Sequence, residues 1–124
     1  MKIVLFIGIG SFVGGVSRYL LSGLVQAKYG SIFPFGTMFV NIIGCFLIGI
    51  IYGWSVSGDL SDQWRLVLTA GLLGGFTTFS AFSLELIMML QNNEFISAGL
   101  YLMISVIVGL VATLLGLTIM KFLL

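Results

Sequence analysis

The residues best suited to chemistry lie in one run, 74–83, which reads Gly-Gly-Phe-Thr-Thr-Phe-Ser-Ala-Phe-Ser inside an apolar segment long enough to cross a bilayer. Adjacent glycines weaken a helix. In a bilayer, backbone groups that leave the helical ladder must line a cavity, bind an ion or be buried against protein. Unwound carbonyls can coordinate a cation such as Na⁺, and those of Gly74 and Thr77 are the candidates if two copies of the chain meet there. The run predicts a broken membrane helix at which ions pass.

Two phenylalanines of this run, Phe79 and Phe82, are three residues apart and share one side of a helix. An aromatic ring has a positive edge, so two rings presented edge-on can contact an anion without holding it tightly. Conduction requires such weak, repeated binding. The alternative is packing in the core or against lipid, and the adjacent Gly-Gly-x-Thr-Thr sequence favours the functional interpretation.

Polar side chains are rare inside the apolar segments, and each of them is costly there. Arg18 either attracts anions to a vestibule or anchors its helix at the lipid headgroups. Asn41, with Thr37 one turn before it, either donates its amide to an anion or forms an interhelical hydrogen bond. Glu85 is the only carboxylate within a span, and it either titrates functionally or reaches water near its helix end.

A stripe of small and hydroxyl-bearing residues recurs every four positions near the C-terminus. Its members are Tyr101, Ser105, Gly109 and Thr113. This spacing stacks them on one face of a helix. They form a polar track, unless the Ser and Thr hydroxyls bond back to their own helix.

The composition excludes most soluble functions. Of 124 residues, 60% are hydrophobic and 7% are charged, and mean hydropathy is +1.25. A net charge of +1 leaves no basic surface for nucleic acid. The chain has no histidine and no nucleophile–base pair, so an enzyme is not expected. The single cysteine, Cys45, forms no intrachain disulfide and is interpreted as a small hydrophobic residue.

The charges delimit four membrane helices, at about residues 3–26, 33–55, 66–90 and 95–120, within one domain covering 1–124. The apolar N-terminal segment has no small-residue cleavage site, so it is interpreted as a retained helix and not a signal peptide. Pro34 suits the start of the second helix.

Three pairs of glycines with four-residue spacing predict closely packed helices. These pairs are Gly10/Gly14, Gly49/Gly53 and Gly71/Gly75. A compact four-helix bundle fills its own centre, so a solute pathway favours a homo-oligomer. Three cationic residues on one side of the membrane oppose two on the other, a weak bias under the positive-inside rule. Charge counting alone is therefore evenly balanced between a fixed orientation and pairing with an inverted copy.

In these segments the chain resembles the Fluc (CrcB-type) fluoride channels of bacteria. The resemblance rests on Gly14-Gly15-Val16-Ser17-Arg18-Tyr19 in the first helix, Gly36-Thr37-Met38-Phe39-Val40-Asn41-Ile42-Ile43-Gly44 in the second, and the 74–83 run in the third. Length, four spans and motif order agree over essentially the whole chain.

The resemblance implies an all-α membrane protein that is an antiparallel, dual-topology homodimer in the bacterial inner membrane. Such a dimer has two pores that passively export toxic fluoride, exclude chloride and flank a structural Na⁺. Gly74 and Thr77 would give carbonyls to this ion. The fluoride pathway would comprise Asn41, Phe79, Phe82, Thr37, Tyr101, Ser105 and Arg18, with Glu85 at a second-rank polar position.

Two departures from the family pattern stand out. Gly109 replaces a further hydroxyl that some members carry, so the track is expected to be shorter or hydrated here. Ala81 replaces a common threonine between the two rings, and we expect the change to be tolerated. The main alternative is a small multidrug-type proton-coupled exporter, but such a mechanism resembles one that needs a carboxylate in the first helix, and residues 3–25 contain none. A structural subunit without transport would leave the Thr-Thr-Phe sequence unexplained.

Overall fold

The computed structural model describes residues 1–30 and 32–124, and helices are the secondary structure of these residues, joined by short turns. Four helical stretches are long and apolar enough to cross a membrane. Three of them are continuous: α1 (Lys2–Tyr29), α2 (Phe35–Val56) and α6 (Phe95–Leu123). The third stretch, Asp62–Gln91, is assembled from shorter pieces. This architecture is that of a multi-pass membrane protein.

The third stretch changes its helical geometry along its length. It begins as α3 (Asp62–Leu66), continues as a π-helical segment (Val67–Leu73), returns to α4 (Gly74–Phe76) and resumes as α5 (Phe79–Gln91). Between α4 and α5, Thr77 has φ −99° and ψ 158° and Thr78 has φ −150° and ψ 120°. Both residues are therefore extended, so regular α-helical hydrogen bonding is interrupted after the Thr77 N–H, which still donates to the Leu73 carbonyl.

A glutamine side chain fixes the turn between α1 and α2. The helix α1 is followed by Gly30, whose φ of 53° is left-handed and whose N–H donates to the Gln26 carbonyl. The Gln26 side chain then donates to the Phe33 carbonyl at 3.0 Å and accepts from the Gly36 N–H at 3.0 Å. This side chain therefore caps the start of α2, where Pro34 cannot donate.

The helices pack in two pairs through glycines. α1 lies against the π segment and α4, and α2 packs most extensively against α6. A methyl group added at Gly75 would collide with the Ser11 carbonyl, and one at Gly116 would collide with the Phe46 carbonyl. The predicted glycine pairs show the same crowding, which confirms that they let helix backbones approach closely.

The buried apolar side chains form two clusters, one on each side of the interruption in the third stretch. One cluster centres on Val40, Leu73 and Phe76, and the other on Phe82 and Tyr101. Most of the remaining surface is exposed and apolar on all four stretches. Such a surface suits hydrocarbon, since lipid rather than water then covers it.

Candidate functional site

The Asn41 side chain of α2 holds the extended backbone of the third stretch. Its Oδ1 accepts from the Thr78 N–H at 2.9 Å, and its Nδ2 donates to the Thr78 carbonyl at 3.0 Å. The Thr78 hydroxyl then accepts from the Ala81 N–H at 3.1 Å, which caps α5. Asn41 thus forms the interhelical hydrogen bond weighed above as the alternative, and the second N–H of its amide remains for another acceptor.

The two hydrogen bonds between Asn41 and Thr78, called the Asn41 clamp below, change which donors reach the carbonyls that precede Thr78. Leu73 O accepts from both the N–H of Thr77, at 3.0 Å, and its hydroxyl, at 2.9 Å. Because the Thr78 N–H is used by Asn41, the Gly74 carbonyl loses the α-helical donor four residues ahead. Gly44 on α2 leaves room for the Thr77 methyl group, since a Cβ there would collide with it.

Arg18 supports the same region from α1. Its Nε donates to the Gly75 carbonyl at 3.0 Å, and the side chain is partly buried. About two helical turns earlier on α1, the Ser11 hydroxyl donates to the Gly71 carbonyl at 3.3 Å. Neither partner was predicted from sequence, because 57 and 60 residues separate donor from acceptor. The predicted role of Arg18 as a vestibule cation stays a prediction.

An open groove of about 420 Å³ lies where α2, the third stretch and α6 meet. It brings together six of the predicted residues: Asn41, Gly74, Thr77, Phe79, Phe82 and Ser105. Other residues on its wall are Gly44, Cys45, Ile48, Thr69, Leu73, Thr78 and Val106. The wall carries no ionisable carboxylate or cation, so an ion inside it would meet backbone, amide, hydroxyl, thiol and aromatic groups among aliphatic side chains.

The two predicted phenylalanines share the groove but differ in burial. Their ring centroids are 5.8 Å apart. Phe82 is 9% exposed and Phe79 is 79% exposed. Phe82 also meets Tyr101 nearly edge-on, with centroids 5.0 Å apart. The packing alternative therefore describes Phe82 in part, whereas most of the Phe79 ring is exposed. Whether either ring edge contacts an anion stays a prediction.

Glu85 joins two other predicted polar residues in a cluster. Thr37 donates to one carboxylate oxygen at 3.1 Å, and the Tyr101 hydroxyl donates to the other at a longer 3.5 Å. Tyr101 is completely buried. Thr37 and Glu85 line a second groove, of about 580 Å³, between the C-terminal half of α1 and the start of α2. Sequence reasoning placed these residues separately and did not predict that they meet.

The α6 stripe is divided among three environments. Tyr101 belongs to the Glu85 cluster, and the Ser105 hydroxyl is buried without a hydrogen-bond partner among the described residues. Thr113 donates to the Gly109 carbonyl at 3.1 Å, which is the back-bonding alternative. The stripe thus presents free hydrogen-bonding capacity to the first groove only at Ser105.

Metal-ligating side chains do not cluster anywhere in residues 1–30 and 32–124. The predicted ligands of a cation are backbone carbonyls. Gly74 and Thr77 line the first groove, and the Gly74 carbonyl has lost its helical donor. Carbonyl oxygens suit Na⁺ chemically, but one chain brings only two predicted ligands.

Known proteins resemble this chain along most of its length. The family model described as "CrcB-like protein, Camphor Resistance (CrcB)" matches residues 5–117. A protein of Geotalea daltonii named "Fluoride-specific ion channel FluC" is 46% identical over 98% of this chain and 99% of its own length. A protein of Geobacter sulfurreducens with the same name is 49% identical, over 91% and 92%. A third, from Methanococcus maripaludis, is 42% identical over 86% and 85%.

The family match spans all four helical stretches, including the groove and the Asn41 clamp. The chain belongs to the CrcB-like family.

Proposed function

We propose that this protein is a fluoride-selective ion channel that lets fluoride leave the cell passively across the bacterial inner membrane. Relatives named as fluoride-specific channels match it along nearly its whole length. The observation that carries the proposal is the groove at Thr77–Thr78, where hydrogen-bond donors and aromatic rings meet on an uncharged wall. A channel performs no covalent chemistry, in agreement with the expectation that the protein is not an enzyme.

Fluoride is small and strongly hydrated, so removing its water in apolar surroundings costs many kcal/mol. The second N–H of Asn41 and the unpartnered Ser105 hydroxyl can each replace one water donor. The edges of Phe79 and Phe82 add weak positive potential. These groups bind without a full charge, so an ion can leave as readily as it enters. Chloride is larger and gains less from short hydrogen bonds, which favours fluoride in a narrow path.

The remaining polar residues extend the route beyond the groove. Thr37 and Tyr101 present hydroxyls around Glu85, next to the second groove. Arg18 is linked to the backbone that precedes the clamp by its hydrogen bond to the Gly75 carbonyl. We place Arg18 at a vestibule, where its charge raises the local concentration of anions.

The working unit is an antiparallel homodimer with two pores. The first groove is open on one side, and Phe79 at its edge is 79% exposed. A second copy that closes this groove would bury the ring and complete the wall. The near balance of cationic residues on the two sides supports insertion in both orientations.

A structural Na⁺ at the dimer interface would be held by the carbonyls of Gly74 and Thr77 from both copies. The residues present fit such an ion, since two copies would supply four hard oxygen ligands, which are the type that alkali and alkaline-earth cations prefer. When bound, the cation supplies a fixed positive charge that attracts anions toward the groove. Thr77 is held in place for this by its bonds to Leu73.

Fluoride efflux from liposomes containing the purified protein tests the function. A fluoride electrode records release, valinomycin balances the charge, and chloride is measured in parallel. We expect fast, ionophore-dependent fluoride release without chloride release. No release from well-folded protein would refute the channel. Proton-driven drug exchange would then be tested, with Glu85→Gln as the first variant, although Glu85 lies in the third stretch and the first contains no carboxylate.

A further inference from the structure

The sole cysteine lies on the wall of the first groove, one turn after Asn41 on α2. Cys45 is partly buried and lines the groove together with Asn41 and Ser105. Its sulfur packs over Gly109 of α6, because a Cβ added at that glycine would lie 3.3 Å from the Cys45 Sγ. The thiol therefore occupies the space that a side chain at position 109 would fill.

The neighbouring hydroxyl on α6 lacks a partner. Ser105 is one turn before Gly109, and its Oγ is buried with no hydrogen bond from the described residues. Buried hydroxyls normally have a partner, either protein or water, so this oxygen retains hydrogen-bonding capacity beside the groove that Ser105 lines. One turn after Gly109, the Thr113 hydroxyl is already used within its own helix. Besides Ser105, the polar side chains that α2 and α6 contribute to the groove wall are Asn41 and the Cys45 thiol.

We propose that Cys45 is a pathway-lining residue, whose thiol supplies from α2 the polar contact that α6 lacks at Gly109. This inference rests on the proposed channel function. A transiting fluoride, or the water travelling with it, passes from the Ser105 hydroxyl to the Cys45 S–H. A thiol is a weak donor, so it lowers the cost of dehydration without trapping the ion.

Substitutions that separate polarity from volume test the role. Cys45→Ser keeps a small donor, whereas Cys45→Val keeps an apolar group of similar volume. If the thiol's polarity matters, Cys45→Ser conducts within about twofold of the native protein, and Cys45→Val is slower by about fivefold, the loss of one modest hydrogen bond. If Cys45 only packs, the valine variant conducts like the native protein, and the proposal is wrong.

Moving the polar group to the opposite helix provides a rescue. Gly109→Ser alone crowds the sulfur, since the new Cβ lies 3.3 Å from it. Cys45→Ala opens that space, so the double variant Cys45→Ala/Gly109→Ser places a hydroxyl at the same level of the groove. We expect Cys45→Ala alone to be slow and the double variant to regain most of the flux. Failure to regain flux, in a double variant as stable in detergent as Cys45→Ala, would count against the proposal.

Chemical modification gives an independent measurement, because the chain has one cysteine. Methyl methanethiosulfonate transfers CH₃S to the thiol, which forms a Cys–S–S–CH₃ disulfide and releases methanesulfinic acid. We expect complete labelling to slow fluoride efflux by at least about tenfold and dithiothreitol to restore it. The control is Cys45→Ser/Val111→Cys, which moves the thiol to the exposed face of α6. Mass spectrometry measures labelling in both proteins.

The outcomes distinguish this inference from the proposed function. An unmodified protein that releases no fluoride refutes the channel itself. A protein that conducts normally when mass spectrometry shows complete labelling of Cys45 refutes only the role of the thiol. If the reagent does not reach Cys45, the flux order of the serine and valine variants still decides.

Discussion

The Asn41 clamp predicts a specific loss of stability when the side chain is removed. Asn41→Ala deletes two hydrogen bonds to Thr78, of 2.9 Å and 3.0 Å. Interhelical side-chain hydrogen bonds in membranes are worth about 0.6 kcal/mol on average and ~1.7 kcal/mol at most. Two such bonds therefore give about 1–3 kcal/mol, toward the lower value if groove water replaces the lost partners.

Hydrogen exchange of the Thr78 amide in detergent measures this loss of stability at the residue that Asn41 holds. A change of about 1–3 kcal/mol corresponds to exchange ~5- to 150-fold faster. Asn41→Asp keeps an acceptor for the Thr78 N–H but sets a carboxylate against the Thr78 carbonyl. We expect it to be at least as destabilising, and to slow fluoride release by charging the groove.

Asn92→Ala serves as the matched control. Asn92 is exposed at the end of α5, and removing its amide leaves the clamp intact. Its variant should therefore retain native exchange at Thr78. Unchanged protection of the Thr78 amide in Asn41→Ala would refute the reasoning, because the two bonds would then contribute nothing to holding the extended residues.

Three further predictions follow from the packing and the groove. Gly116→Ala should lower the free energy of unfolding in detergent by about 1–3 kcal/mol, because overpacking forces α2 and α6 apart. Gly99→Ala is the control, since its added methyl meets nothing within 4 Å, and it should unfold with the native free energy. Phe79→Ile should fold normally, since the ring is 79% exposed, yet release fluoride at least about tenfold more slowly; normal efflux would contradict the ring-edge role. Arg18→Lys keeps the charge but loses the planar donor on the Gly75 carbonyl, so stability should fall by about 1 kcal/mol, and unchanged thermal unfolding would show that the bond is dispensable.

Hydropathy predicts the four helical stretches well, because the cost of exposing polar backbone to lipid leaves few alternatives to a helix. Glycine spacing likewise predicts where backbones approach. The partners of Asn41 and Arg18 were not predictable, since each lies on another helix and either polar side chain has several plausible uses. The π-helical segment carried no recognisable sequence signal at all.

The candidate site was predicted as residues but not as contacts. Spacing put Tyr101 and Ser105 on one face of α6, yet only the packing of α5 against α6 decides that Tyr101 meets Glu85 while Ser105 enters the groove. Cys45 was interpreted as a small hydrophobic residue because a lone thiol in an apolar run gives no other indication. Its position opposite Gly109 became visible only in three dimensions.

The π-helical segment at Val67–Leu73 bears on which changes of chain length the protein can absorb. A π turn holds more residues than an α turn. Deleting one residue there can therefore convert the segment to ordinary α-helix, while the side chains of α4 and α5 keep their orientation toward the other helices. The same deletion in the middle of α6 would rotate everything beyond it by about 100° and misalign Gly116 with α2. Natural or engineered shortening of this chain should therefore be tolerated within Val67–Leu73 and rejected within α6.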